Sequence, residues 1–221
     1  MIATLRIIYK MMFVTISVTF IIFCCKVTVK HDIITVVINM LMISMTDLDK
    51  KAVRAHAHRL LRECLKPMGV DYGEDTPLTK GKMGKPALAD RPDIHYNISH
   101  ADGIAACIVS DRECGIDCEK VREYRPNVMK RAFSEKERKM VESAPEKERD
   151  ILFFRLWTLK EAYVKAIGIG ISYPMNEVEF SFRGNEIISD RKGCRFRQYI
   201  IDKGRFVTAV CELEDSAEAV K

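Results

Sequence analysis

The stretch from Pro145 to Gly170 admits little besides one long helix with a hard stop. Pro145 followed by Glu146 and Glu148 suits a first turn, and Gly168 and Gly170 end the helix near Ile167. Within it, Trp157, Glu161 and Lys165 fall four residues apart and share a face. Upstream, Gly115-Ile-Asp-Cys-Glu119 reads as a strand on which Asp117 and Glu119, two apart, share a face. A helix bearing a carboxylate and a lysine, beside a strand bearing two carboxylates, can hold a hard metal ion together with an anionic phosphate. Each half has a plainer reading when taken alone. Glu161 and Lys165 could be an exposed ion pair worth about 0.2–0.5 kcal/mol, and Asp117 and Glu119 could be charges that protect a sheet edge.

The rest of the chain supplies the frame. Thr46 and Asp49 resemble a capping box, and Val53, Ala57, Leu60, Leu61, Cys64 and Leu65 mark the apolar face of a first helix that ends near Pro67-Met-Gly69. A polar loop from Asp71 to Gly84 leads through Lys80, Lys82 and Lys85 to strand-like runs at Ile94–Ser99, Ile104–Ser110 and Cys114–Glu119. Ser134 and Glu137 form a second capping box, and Val178–Phe182, Arg195–Ile201 and Phe206–Leu213 read as strands after the long helix. This order predicts an α+β fold of two similar lobes meeting near residue 114, spanning 46–113 and 114–221. Each lobe is expected to be a small, mostly antiparallel sheet packed with a long helix.

Charge and cysteine usage exclude several classes. Residues 1–45 carry +3 of the formal net charge of +5, so the rest of the chain lacks the clustered basic face of a nucleic-acid binder. The eight cysteines include no C-x-x-C pair. Cys114 and Cys118 lie about 13 Å apart along a strand, too far to share one zinc ion, so the thiols read as buried groups of a reducing compartment. The first 45 residues are rich in Ile, Val, Met and Phe, and their longest uncharged run, Met11 to Cys25, falls short of the roughly 20 residues that span a bilayer. The readings left open are one or two buried strands, an over-extended frame whose true start is Met45, and, ranked third, a membrane anchor.

Four short motifs occur in order: Gly84-Lys-Pro86, Asn97-Ile-Ser-His100, Gly115-Ile-Asp-Cys-Glu119, and Trp157-Thr-Leu-Lys-Glu-Ala162 with Lys165. In them the chain resembles the 4′-phosphopantetheinyl transferases, specifically the two-lobed type that activates surfactin synthetase. The resemblance extends from Arg54 to Leu213. It implies that fold, with pseudo-two-fold symmetry, and a monomeric cytoplasmic enzyme. Such an enzyme moves the phosphopantetheine arm of coenzyme A onto a serine of an apo acyl or peptidyl carrier protein, using Mg²⁺. By the same resemblance Asp117, Glu119 and Glu161 hold the metal. Lys165 and Lys160 stabilise or protonate the departing adenosine 3′,5′-bisphosphate, and Glu161 or a water on the metal takes the serine proton. Ser99 and His100 touch the diphosphate, Lys85 faces the nucleotide end, and Arg54 is the candidate for the 3′-phosphate. The basic residues between Lys120 and Lys139 offer a docking surface for an acidic carrier. The rival readings are a non-catalytic member that binds coenzyme A or a carrier, and a membrane-anchored interaction protein.

Overall fold

In the first lobe, β1 (Thr19–Lys30) and β2 (Ile33–Met45) form an antiparallel hairpin. β2 continues through Met40–Met45 onto β6 (Ile104–Ser110), which pairs with β5 (His95–Ala101), giving the order β1-β2-β6-β5. The computed structural model describes residues 19–30 and 33–214, so residues 1–18, 31 and 32 of the apolar segment lie outside the described residues. Helix α1 (Lys50–Leu65) covers one face of this sheet. Its Val53, Ala57, Leu60, Leu61, Cys64 and Leu65 pack on Met40, Met42, Ala105, Cys107 and Val109. A two-stranded ribbon of β3 (Leu78–Lys80) and β4 (Pro86–Leu88) stands beside it.

The second lobe repeats the plan. β7 (Cys114–Lys120) pairs with β11 (Phe206–Leu213), which pairs with β10 (Cys194–Ile201), all antiparallel. After α2 (Pro126–Ala132) and α3 (Glu135–Ser143), the long helix α4 (Glu146–Ile167) covers the outer face of that sheet, and a hairpin of β8 (Phe180–Arg183) and β9 (Glu186–Ser189) precedes β10. The fold is α+β, as the order of apolar patterns predicts.

Strand alternation joins the lobes. On β6 the odd residues Ala105, Cys107 and Val109 face α1, while Ile104, Ala106 and Ile108 face the other way. The latter meet Leu41, Ile43, Ile116, Cys118, Phe206 and Val210 in a middle core. The molecule is thus layered as helix, sheet, sheet, helix.

The helix ends show where local chemistry acts. Asp49, not Thr46, is the N-cap of α1, accepting from the amides of Lys51 and Ala52, while the Thr46 hydroxyl accepts from Leu48 and shapes the approach. The Ser134–Glu137 capping box on α3 is complete in both directions. Helix α4 stops at Gly168, whose φ of 68° is the left-handed region that favours glycine.

Part of the apolar N-terminal segment therefore forms two strands, and no helix among the described residues is long and apolar enough to cross a membrane. Met40, Leu41, Met42 and Ile43 of β2 are all buried. At about 1.5–3 kcal/mol per buried side chain, these four rival the roughly 5–15 kcal/mol that separates a folded domain from its unfolded chain. We expect a chain truncated to start at Met45 to lose the cooperative thermal unfolding transition seen by circular dichroism. A sharp transition at the full-length temperature would show that β2 is dispensable.

A candidate active site where the lobes meet

Gly115 sets the distance between α4 and β7. A methyl group at this position would fall on the carbonyl of Ala162 and the amide of Ala166, with the Lys165 backbone 3.0 Å away. Glycine facing two alanines lets the helix backbone lie directly on the strand. Gly115, Asp117 and Glu119 share the β7 face turned toward α4, so this close approach carries Glu161 and Lys165, one turn apart, to the two carboxylates. Lys165 Nζ lies 2.6 Å from Asp117 Oδ1.

The opposite constraint comes from the outer edge of β7. β11 pairs with one side of β7, and among the described residues no strand pairs with the other. The groups on that open side are buried, and side chains match four of them. The Ile116 amide donates to Asn97 Oδ1 at 2.9 Å and the Cys118 amide donates to Ser99 Oγ at 3.2 Å. The Ile116 carbonyl accepts from Lys165 Nζ at 3.1 Å and the Cys114 carbonyl accepts from Lys85 Nζ at 3.0 Å. Residues from all four sequence motifs converge on one strand edge. Ser99 also donates to Asp117 Oδ1 at 3.0 Å and accepts from Lys165 at 3.2 Å.

The electrostatics of the cluster are unbalanced. Burial, reinforced by the charge of Asp117, pushes the Glu161 carboxyl up to about 7, with Glu119 adding and Lys165 opposing. The same two causes raise Glu119, against the pull of Arg122, which is 3.0 Å away. Burial works against the charged form of Lys165, but Asp117 and Glu161 outweigh it and the ammonium titrates above its ordinary value. Three carboxylates thus face one lysine, and Asp117 Oδ2 is buried with no hydrogen-bond partner. Among the described residues no three His, Cys, Asp or Glu side chains form a ready-made cage for a metal. An excess of carboxylate oxygen, with one oxygen orphaned, nevertheless fits Mg²⁺, which takes one or two carboxylates and completes its shell with substrate phosphates and water.

The remaining expected residues are placed less uniformly. Lys85 is drawn into the seam: its ammonium donates to Glu113 at 2.6 Å, to the Cys114 carbonyl and to the Ala166 carbonyl at the end of α4. His95 and then Lys85 hold Glu113 down to about 2. Ser99 and His100 are adjacent on β5 and point to opposite faces, so the structure separates the pair. Ser99 joins the acidic cluster, whereas His100 lies in the row His100–Ala105–Ser44 on the α1 side. There His56 Nε2 meets Ser44 Oγ at 2.9 Å, and Arg59 reaches His56 at 3.3 Å. Arg54 lies elsewhere on α1, where its charge acts on His58. Arg59 and not Arg54 is thus the α1 arginine on the His100 side; counting helix positions from His100 outward needs the sheet register, which the sequence does not supply.

Lys160 corrects an expectation. Its side chain is fully buried on the far side of α4, 2.8 Å from Glu137, and donates to the carbonyls of Met175 and Val178. One residue before Glu161 is about 100° around the helix, which turns Lys160 into the core. Glu137 in turn accepts from the amides of Ser134 and Phe180. The pair ties α3 to α4 and to the start of β8, and is not at the acidic cluster. Trp157 packs as expected, stacked on Phe153 with ring centroids 6.2 Å apart, and Phe154 is buried. Asn97 and Gly115 stand inside two of the sequence motifs, but nothing in the local pattern marks what they do.

The known proteins to which the chain is similar share one description. A family model described as the 4′-phosphopantetheinyl transferase superfamily matches residues 113–211. The chain is 30% identical over 142 residues to the 4′-phosphopantetheinyl transferase Sfp of Bacillus subtilis, an alignment covering 62% of this chain and 63% of that one. It is 38% identical over 125 residues to the 4′-phosphopantetheinyl transferase HetI of a Nostoc species, covering 54% and 52%. A third relative, the 4′-phosphopantetheinyl transferase gsp of Aneurinibacillus migulanus, is 38% identical over 103 residues, covering 47% and 43%. The matches span less than two thirds of the length of these relatives.

Gly115→Ala tests the close approach. Overpacking of this kind costs about 1–3 kcal/mol or more, so the melting temperature should drop by several degrees. Gly73→Ala is the control: there the added methyl meets only the Arg62 guanidinium at 4.0 Å, and melting should stay near that of the parent chain. Equal melting of the two variants would contradict the role given to Gly115.

Proposed function

We propose that the chain moves the phosphopantetheine arm of coenzyme A onto a serine hydroxyl of an apo acyl or peptidyl carrier protein, a reading supported by its similarity to 4′-phosphopantetheinyl transferases. The observation that carries this reading is the meeting of Asp117, Glu119, Glu161 and Lys165 at the seam, with Asp117 Oδ2 buried and unpartnered. Asp117, Glu119 and Glu161 are the residues that would hold magnesium. When bound, the ion would neutralise charge that builds on the coenzyme A diphosphate during the transfer.

The chain's own groups then have separate tasks. The carrier serine oxygen attacks the β-phosphorus, and the bond from that phosphorus to the oxygen of adenosine 3′,5′-bisphosphate breaks. Glu161, beside the cluster's other carboxylates, is the residue suited to accept the serine proton. Lys165 keeps its proton at physiological pH and places a positive charge where the leaving group gains negative charge. On the α1 side, His100, His56 and Arg59 offer donors to the remaining phosphate of the nucleotide.

The carrier is expected to dock beside this site. A groove of about 560 Å³ is lined by Glu123, Tyr124, Arg125, Asn127, Val128 and Arg131. Arg125, Lys130 and Arg131 are exposed there, while Arg122 is occupied by Glu119 and by the ring of Phe154. Free thiols at Cys64, Cys107, Cys114, Cys118, Cys194 and Cys211 suit a reducing compartment, and we place the activity in the cytoplasm, in a monomer.

The test is direct. Purified protein incubated with Mg²⁺, coenzyme A and an apo carrier should add the phosphopantetheine mass to the carrier, and chelation should stop it. Glu161→Gln, which keeps shape and loses the charge, should lower turnover by about 10²-fold or more. Binding of coenzyme A without any mass gain across a panel of apo carriers would instead indicate a non-catalytic member.

A further inference from the structure

We propose that Glu212 is a positioning residue that locks the hinge between the lobes. Held by Arg197 of its own lobe, its carboxylate reaches across to Ser110 and Asn39 of the first, beside the turn through which the chain passes from one lobe to the other. The kinetic consequence rests on the transfer reaction proposed above, because it takes coenzyme A to span both lobes. The structural claim does not.

The contacts of β5 with β7 run along one line, and one line leaves two bodies free to rotate about it. Behind that line the sheet faces meet in the middle core, where Ile104, Ala106 and Ile108 of β6 pack on Phe206 and Val210 of β11. Apolar contact is non-directional, so it holds the faces together but fixes their angle only weakly. Strand alternation carries the same rows on to polar residues. Ser110 follows Ile108 on β6, Asn39 precedes Leu41 on β2, Glu212 follows Val210 on β11, and Arg197 lies opposite Val210 on β10.

Those four side chains join. Arg197 Nη2 holds Glu212 Oε2 at 2.6 Å, which turns Oε1 across the interface to accept from Ser110 Oγ at 2.7 Å and from Asn39 Nδ2 at 3.4 Å. Glu212 and Ser110 are both buried. The same partners hold the linking turn, residues 111–113: Asn39 Oδ1 accepts from the Asp111 amide at 3.2 Å, and Ser110 Oγ from the Arg112 amide at 3.3 Å. Next to Glu212, the Leu213 amide donates to the Glu113 carbonyl at 2.9 Å. Hydrogen bonds to a buried carboxylate are strong and directional. These sit off the β5–β7 line, so they remove the rotation that the line permits. A further bridge between the lobes, Lys120 to Asp102, lies in solvent, where ion pairs are weak. With the hinge unlocked, only a fraction of molecules would be aligned. A ligand that needs both lobes then binds more weakly by that fraction, and saturating ligand restores the alignment.

The experiment compares two double variants of the full chain, both lacking the ion pair. Arg197→Met with Glu212→Gln keeps a side-chain oxygen for Ser110. Arg197→Met with Glu212→Met keeps the volume and loses that bond, and apolar replacement of both members of a buried pair is often neutral for stability. Residual dipolar couplings measured by NMR and fitted lobe by lobe should give one shared alignment for the parent and the first variant, and two different ones for the second. KM for coenzyme A should rise about 3–10-fold in the second variant, or about 0.7–1.4 kcal/mol at about 1.4 kcal/mol per tenfold. In the first it should stay within about twofold of the parent, as should turnover at saturation in both. A shared alignment in the second variant overturns the proposal, and equal KM values in the two overturn its kinetic consequence. Should the second variant not fold, Ser110→Ala compared with Ser110→Thr, which keeps the hydroxyl, decides the matter: the same lobe alignment in both refutes the hinge role. An absence of transfer by the parent chain would remove the proposed activity, but the dipolar couplings would still decide the hinge.

Discussion

One edge of one strand organises this molecule. β7 is the border of the second sheet, its outer side is buried against the first lobe, and among the described residues no neighbouring strand satisfies it. Buried backbone groups must find partners, and here Lys85, Asn97, Ser99 and Lys165 provide them. A solution built from side chains differs from a ladder of backbone bonds in one respect: the side chains bring charge and hydroxyl chemistry to the seam. The place where the two lobes are joined is therefore also the place where they can act on a ligand.

Gly115 supplies the other half of the geometry. Without a side chain it lets α4 lie on β7, and the carboxylate and lysine of the helix arrive beside those of the strand. The result is an acidic cluster that is costly on its own terms, with two glutamates displaced toward their neutral forms and one aspartate oxygen unpaired. Such strain is common at functional sites. A bound cation would relieve it, as the transfer proposed above would require. Elsewhere on α4 the same helix buries a fully paired charge, Lys160 with Glu137. Breaking a pair like that costs about 3–5 kcal/mol, which explains a lysine beside Glu161 that takes no part in the cluster.

Much of this was legible in the sequence because it depends on local periodicity. The helix from Glu146 to Ile167, the capping box at Ser134, the strand pair Asp117 and Glu119, and the four-residue step from Glu161 to Lys165 all follow from spacing. What sequence could not convey was register and direction. Adjacent Ser99 and His100 read as one anion-binding pair, yet a strand sends them to opposite faces. Lys160 read as a second phosphate lysine, yet its angle on the helix turns it inward. Arg54 read as the basic residue of α1, yet Arg59 is the one that shares a side with His56 and Ser44. The missed residues, Asn97 and Gly115, act by filling or vacating space against a distant segment, and only the packed structure shows which segment that is.

The central claim is that the seam gathers Asp117, Glu119, Glu161 and Lys165 around a carboxylate oxygen left for a cation. A crystal structure of the protein with coenzyme A and magnesium bound tests it most directly. The account predicts Asp117 Oδ2 on the metal, with Lys165 still against Asp117 Oδ1. A metal held elsewhere, with Asp117 Oδ2 still buried and unpartnered, would contradict it.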